Sequence, residues 1–137
     1  MSVRPILSAL VLADHVYIDR TTGKKVIAGT FNRFVSREFP ATSTTRKYAF
    51  ASMTDVVGKV AITFRYVDLE NNDVLLEVPN LTAQSNDRLA TVEMVVEIPP
   101  LPMPHPGAYA FEAYFGEELI GSLRLQVLKR SEEESAE

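Results

Sequence analysis

The sequence predicts a single antiparallel β-sandwich of seven to nine strands, with a closed β-barrel as the alternative. Three observations carry this. Apolar and polar residues alternate with period two along most of the chain, the mark of half-buried strands. In "LATVEMVVEI", Ala90, Val92, Met94, Val96 and Ile98 point one way, and Thr91, Glu93, Val95 and Glu97 the other. Turn-forming pairs punctuate the chain at Thr22-Gly23, Asn71-Asn72, Asn86-Asp87 and Gly116-Glu117. No segment carries a helical period of useful length, and many short strands at this spacing make a sandwich or barrel.

Eight strands are expected in order, at 6–18, 24–34, 47–54, 58–68, 73–79, 89–98, 107–115 and 118–128. The first is apolar almost throughout from Ile6 to Ala13. Such a run reads as a strand buried on both faces. It is at the short limit of a signal-peptide core, and no clean small-x-small cleavage site follows, so a buried strand is the reading taken. The first strand also has room for a bend near Asp14. In "KVAITFRYV", Val60, Ile62, Phe64 and Tyr66 are expected inside, with Thr63 and Arg65 outside. Near the end, Tyr109, Phe111, Ala113 and Phe115 form one face. Leu119, Leu123, Leu125 and Val127 form another, alternating with Ile120, Ser122, Arg124 and Gln126. Three segments break the alternation. Residues 36–46, "SREFPATSTTR", read as a polar loop. Residues 99–106, "PPLPMPHP", read as a stiff connector between sheets, because proline lacks a backbone donor. Residues 129–137, "KRSEEESAE", read as a charged flexible tail with nothing apolar to bury. One sandwich domain is therefore assigned to 1–128.

The 137 residues suffice for one core without staples, and the chain has no cysteine. That excludes disulfides, thiol nucleophiles and thiolate metal sites, and fits a reducing cytoplasm. No apolar run is long enough for a membrane-spanning helix. The net charge of -4 argues against general nucleic-acid binding. The charge is uneven. Residues 20–47 hold seven cationic side chains and one acid, Glu38, so this segment carries +6 and the remainder -10. Arg33, Arg37, Arg46 and Lys47 flank a loop with Phe39, and together they are the candidate docking surface for an acidic partner. The acids Glu132–Glu134 of the tail are one candidate for that contact. Leu10 and Val11 on the doubly apolar first strand are candidates for self-association.

The most chemically suggestive stretch is "ADHVYIDRTTGKKVIAGTFNRF", residues 13–34. Gly23 lacks the second glycine and the following helix of a phosphate loop, so the stretch reads as a hairpin. Asp14 and His15 are adjacent on a strand and face opposite ways, so they form no dyad with each other. A hydrolase-type enzyme built on Asp14, His15 and Asp19 remains a weaker alternative, as does a carbohydrate or small-ligand sandwich using Tyr17, Tyr48, Tyr66, Tyr109 or Tyr114 as stacking platforms. Only two histidines, His15 and His105, are present, too few for a histidine metal site. "DLENND", Asp68 to Asp73, has carboxylates suited to calcium but misses the EF-hand pattern, and reads as a hairpin turn. No metal and no cofactor are assigned.

The first hairpin, "LVLADHVYIDRTTGKKVIAGTFNRF", and the ending, "PGAYAFEAYFGEELIGSLRLQVLK", resemble a family of small bacterial all-β proteins known only as a domain of unknown function. The features are A-D, a short turn with G-K, G-x-F-N-R, and a closing P-G-x-Y-x-F before a turn and a glycine-containing strand. The ending is also similar to the last hairpin of immunoglobulin-like sandwiches. The resemblance implies an immunoglobulin-like or similar sandwich and carries no site residues. The expected function is a non-catalytic protein-interaction or assembly-subunit module, binding a protein partner or a second copy of itself, with no catalytic residue assigned.

Overall fold

A computed structural model describes residues 3–130. Its strands are β1 (Ile6–Ile18), β2 (Lys25–Thr30), β3 (Arg33–Ser36), β4 (Ala41–Thr42), β5 (Lys47–Thr54), β6 (Gly58–Asp68), β7 (Asp73–Ser85), β8 (Val92–Ile98), β9 (Pro102–Met103), β10 (Gly107–Phe115) and β11 (Glu118–Lys129). One sheet has the order β2-β1-β5-β8 and the other β3-β11-β10-β6-β7, with β4 and β9 forming a small two-stranded patch. Every ladder is antiparallel except β3–β11, which is parallel. The two sheets are open, so the architecture is the sandwich and not the barrel.

The topology is that of an immunoglobulin-like sandwich. β1, β5 and β8 stand as strands A, B and E, facing β11, β10 and β6 as G, F and C. β7 adds C′, and β3 runs beside β11 as A′. The core comes from the inner face of each strand: Leu12 of β1; Ala49, Ala51 and Met53 of β5; Ile62, Phe64 and Tyr66 of β6; Tyr109, Phe111 and Ala113 of β10; Leu125 and Val127 of β11. Two aromatic pairs span β6 and β10, Phe64 with Phe111 at 5.2 Å and Tyr66 with Tyr109 at 5.4 Å between centroids.

Several elements differ from the sequence expectation. The second expected strand, 24–34, is two, because the chain leaves one sheet at Phe31–Asn32 and joins the other as β3. β7 continues to Ser85, and β8 starts only at Val92. A bulge between Ala113 and Tyr114 shifts the pairing with β11, so Leu119 is exposed and Ile120 packs on the core. The polar loop 36–46 and the proline connector meet through β4 and β9. Buried Ser43 donates its N–H to the Leu101 carbonyl and accepts the Leu101 N–H on its Oγ. The connector does cross between sheets as expected, and its Leu101 and Met103 are buried. The β11 ladder runs to Lys129, which pairs with Ser36. Glu132–Glu134 lie outside the described residues.

Candidate functional site

β1 is longer than its partner β5. Ala13 is the last β1 residue paired with β5, opposite Tyr48, whereas β2 pairs with β1 out to Ile18. Residues 15–28 therefore form a hairpin arm that overhangs the sheet. Asp19 shapes its tip. The Asp19 carboxylate accepts the N–H groups of Thr22 and Thr21, which hold that exposed carboxyl below its usual range. Gly23 closes the turn.

The arm curls back. Lys25 Nζ, at the start of β2, donates to Glu93 Oε1 of β8 at 3.0 Å. β2 and β8 are opposite edges of one sheet, separated by β1 and β5. Three strand spacings make about 14 Å, beyond the reach of one lysine. The arm must bend across the outer face of its own sheet. That face carries Ala13 and Phe50, which are buried yet stand apart from the core between the sheets. Leu12 and Ala13, adjacent residues on opposite faces, are both buried, but the double burial expected from Ile6 to Ala13 holds only at this end: Ile6 is exposed and Leu10 and Val11 are half-buried, because the outer face is covered only where the arm folds back.

The arm leaves an apolar surface uncovered. Tyr17 is 52% exposed, Ile18 70% and Val26 45%. Tyr17 and Val26 are cross-strand partners. The His15 ring stacks on Tyr17 with centroids 5.7 Å apart and planes 11° from parallel.

At the root of the arm, Asp14 and Lys47 form an ion pair at 2.8 Å. Gly29, with φ +74, sits under Asp14, where a Cβ would strike the carboxylate. Lys47 also lies over the Phe31 ring, 5.1 Å from its centroid. Arg46 is exposed and only 4.0 Å from Glu97. Asp14, His15, Thr45, Arg46 and Lys47 line a cleft of about 350 Å³. Asp14, His15 and Asp19 do not converge: Asp14 is held by Lys47, His15 rests on Tyr17, and Asp19 is used in the turn.

The basic candidates scatter. Arg46 and Lys47 border this cleft. Arg33 and Arg37 are exposed on the β3 side, and among the described residues neither forms an ion pair. Phe39 is half-buried and packs against the core. Leu10 and Val11 are half-buried and line a pocket between the sheets. Of the five tyrosines, Tyr66 and Tyr109 are buried, Tyr114 carries Arg65 on its ring, Tyr48 reaches toward Glu97, and Tyr17 is open.

A second cluster went unnoticed in the sequence. Asp68, 1% exposed, receives His105 Nε2 at 2.6 Å and the N–H groups of Glu70 and Asn71. His105 Nδ1 donates to the Pro106 carbonyl at 2.7 Å. Both ring nitrogens face acceptors, an arrangement that favours the doubly protonated, cationic ring. The Pro106 carbonyl and the Asp68 carboxylate accordingly hold His105 above its usual range. Burial alone would raise Asp68, but the His105 bond and the two backbone N–H groups outweigh it and keep the carboxyl low. Tyr109 donates its hydroxyl to the His105 carbonyl at 2.5 Å and accepts the His105 N–H at 3.2 Å. This is the tyrosine corner of immunoglobulin-like folds. The cluster joins the β6–β7 turn to the proline connector and has the character of a structural clamp. The signal for it was the spacing H-P-G-A-Y, which sets His105 four residues before Tyr109 at the head of a strand.

Among the described residues no helix is long and apolar enough to cross a membrane. A family model described as "Family of unknown function (DUF6941)" matches residues 8–128. No curated protein matches the chain. Among solved structures, an immunoglobulin-like protein from Pseudomonas aeruginosa is similar at 10% identity. The match covers 92% of this chain and 98% of that one, with a TM-score of 0.46.

Proposed function

The chain belongs to the family of unknown function DUF6941, and from that premise we propose that it works as a non-catalytic protein-interaction or assembly-subunit module. The observation that carries this is the arm: Tyr17 and its cross-strand partner Val26 stand exposed on one face of a hairpin that overhangs its sheet, and Ile18 stands exposed on the other. Large apolar side chains exposed on both faces of one short hairpin offer a contact surface. Aromatic residues flanked by arginine are the composition of interface centres. Arg20 and Lys24 at the arm tip and Arg46 at its root supply the charged rim. Arg33 and Arg37 extend the basic surface along β3. Salt-sensitive docking of an acidic protein partner fits these groups. The cysteine-free composition fits a reducing compartment, and the bacterial cytoplasm is part of the proposal.

The test is affinity capture from native lysate with graded salt washes. The intact chain is run beside a Tyr17→Ser/Ile18→Ser variant and an Arg37→Glu/Arg46→Glu variant. A partner retained by the intact chain and lost by the arm variant is expected, with the charge variant losing it at lower salt. Equal retention by all three would refute the assignment of the surface. Light scattering on Leu10→Asp and Val11→Asp variants reports self-association separately.

A further inference from the structure

We propose that the lower half of the β11 edge receives an extended segment of a partner protein in which apolar and acidic side chains alternate. This rests on the interaction-module reading and gives it a ligand. β3 covers β11 only from Gln126 to Lys129, whereas β10 pairs along β11 from Glu118 to Val127. Below Gln126, among the described residues, β11 has no strand on its outer side. The Gln126 N–H donates to the Asn32 carbonyl at 3.0 Å, so its backbone groups point to that side. Backbone direction alternates along a strand, so the N–H and C=O of Arg124 and Ser122 point there too. At the foot of the edge Arg4 Nη2 donates to the Leu119 carbonyl at 3.4 Å and Arg4 Nε pairs with Glu118 at 2.9 Å. The open run therefore lies between Ile120 and Leu125. An open run of donors and acceptors is a template for another strand.

The side chains beside this edge state which strand fits. A pocket of about 220 Å³ opens between β1 and β11, lined by Leu10, Leu12, Phe31 and Leu123 among others. It lies on the inner side of the edge. On the outer face stand Arg124 and Arg33, the latter opposite Gln126 in register and so beside Arg124 on the same face. Both are exposed, and among the described residues neither has an ion-pair partner. A strand added here turns alternate side chains inward and outward. Its inward residue enters the apolar pocket. The residues before and after it meet the two arginines, where carboxylates are favoured.

Among the described residues, a second copy of this chain offers no such segment. β8 has the pattern, with Glu93 and Glu97 between Val92, Met94, Val96 and Ile98. Its apolar residues, however, are packed into their own core, and Glu93 is held by Lys25. The acidic tail has no large apolar side chain for the pocket. The occupant is a free segment of another protein.

The test uses the full chain and a dye-labelled, terminally blocked nonapeptide of alternating leucine and glutamate, followed by fluorescence anisotropy. A peptide with lysine in place of glutamate is the control. Saturable binding of the glutamate peptide alone is expected. Arg124→Glu should weaken it by about tenfold or more. Ser122→Pro should abolish it, since it removes a donor on the open side of β11, where no strand pairs among the described residues, and blocks strand addition. Melting curves check folding. If Ser122→Pro does not melt cooperatively, Arg124→Glu decides, and unchanged affinity overturns the proposal. Absence of saturable binding, or binding indifferent to both variants, also overturns it. So does a dimer seen by light scattering that Ser122→Pro converts to monomer, which would put a second copy on the edge. The Tyr17→Ser/Ile18→Ser variant should bind the peptide normally. Failure of the peptide with arm-dependent capture intact would sink this inference alone. Peptide binding without arm-dependent capture would sink the arm assignment alone.

Discussion

Replacing Asp68 with alanine tests the clamp between the β6–β7 turn and the proline connector. Asp68 accepts a charge-assisted bond from His105 at 2.6 Å. Such a bond is worth about 1.5–3 kcal/mol, and each ordinary backbone bond about 1 kcal/mol. The bond from Glu70 at 3.0 Å is a good one, and that from Asn71 at 3.4 Å is long. The His105 side chain is 27% exposed, so water screens its share of the pair. The lower end of the range applies, and the total loss is about 3 kcal/mol, the low side of what breaking a buried pair costs. For a domain of this size that is a fall in Tm of roughly 10 °C. The pH dependence sharpens the test. The folded state raises His105 above its ordinary 6.5, so its contribution is whole below that value and is lost as pH rises through the raised one. Asp68 lies below its ordinary 3.8, so its contribution is whole above that value and is lost as pH falls through the lowered one. The gap between the intact chain and Asp68→Ala, read by circular dichroism melts, should be widest between these limits, near pH 6. It should narrow toward pH 9, as His105 loses its charge and keeps at most an uncharged hydrogen bond to Asp68 beside the backbone bonds. A gap under about 3 °C at pH 6, or equal gaps at pH 6 and pH 9, would refute the reasoning.

Two tyrosines that stack on each other should respond in opposite ways. Tyr109→Phe removes the donor to the His105 carbonyl and should cost about 1–2 kcal/mol in urea unfolding with an unchanged m-value. Tyr66→Phe removes a buried hydroxyl that has no hydrogen-bond partner among the described residues and should leave stability unchanged or raise it by up to about 1 kcal/mol; a loss like that of Tyr109→Phe would reveal a hidden bond. Gly121→Val would drive a side chain into Leu7, which lies against that glycine, and should cost about 1–3 kcal/mol. Adding Leu7→Ala should recover part of that loss in the same denaturation assay, and purely additive losses would count against the contact.

Strands whose alternation is strict were plain in the sequence. β6, β8 and β10 each bury the face that period two assigns them, because register and burial are one fact in a sheet. The crossing at Phe31–Asn32 was hidden, since Thr30-Phe31-Asn32-Arg33 holds no turn pair and reads on as one strand while the chain changes sheets. The bulge at Ala113/Tyr114 was hidden because one extra residue inverts Leu119 and Ile120 without altering composition. Lys47 looked like part of a basic surface because its acid, Asp14, is 33 positions away and only the ladder brings them together. The exposed arm arises from a difference in length between β1 and β5, which no local pattern encodes. The open edge of β11 depends on where β3 starts.

The parallel ladder between β3 and β11 bears on how the chain carries load. β1 begins and β11 finishes at opposite ends of the sandwich, and each lies along its neighbours for most of its length. Tension between the two ends would pull β1 along β5, and β11 along both β10 and β3. The ladders would be strained lengthwise, many hydrogen bonds at once, and not peeled one by one. In single-molecule pulling, the domain should hold to a high force and then give way in one rupture. A staged, low-force unravelling would contradict that geometry. A module of this build can sit in a tethered assembly as a rigid link.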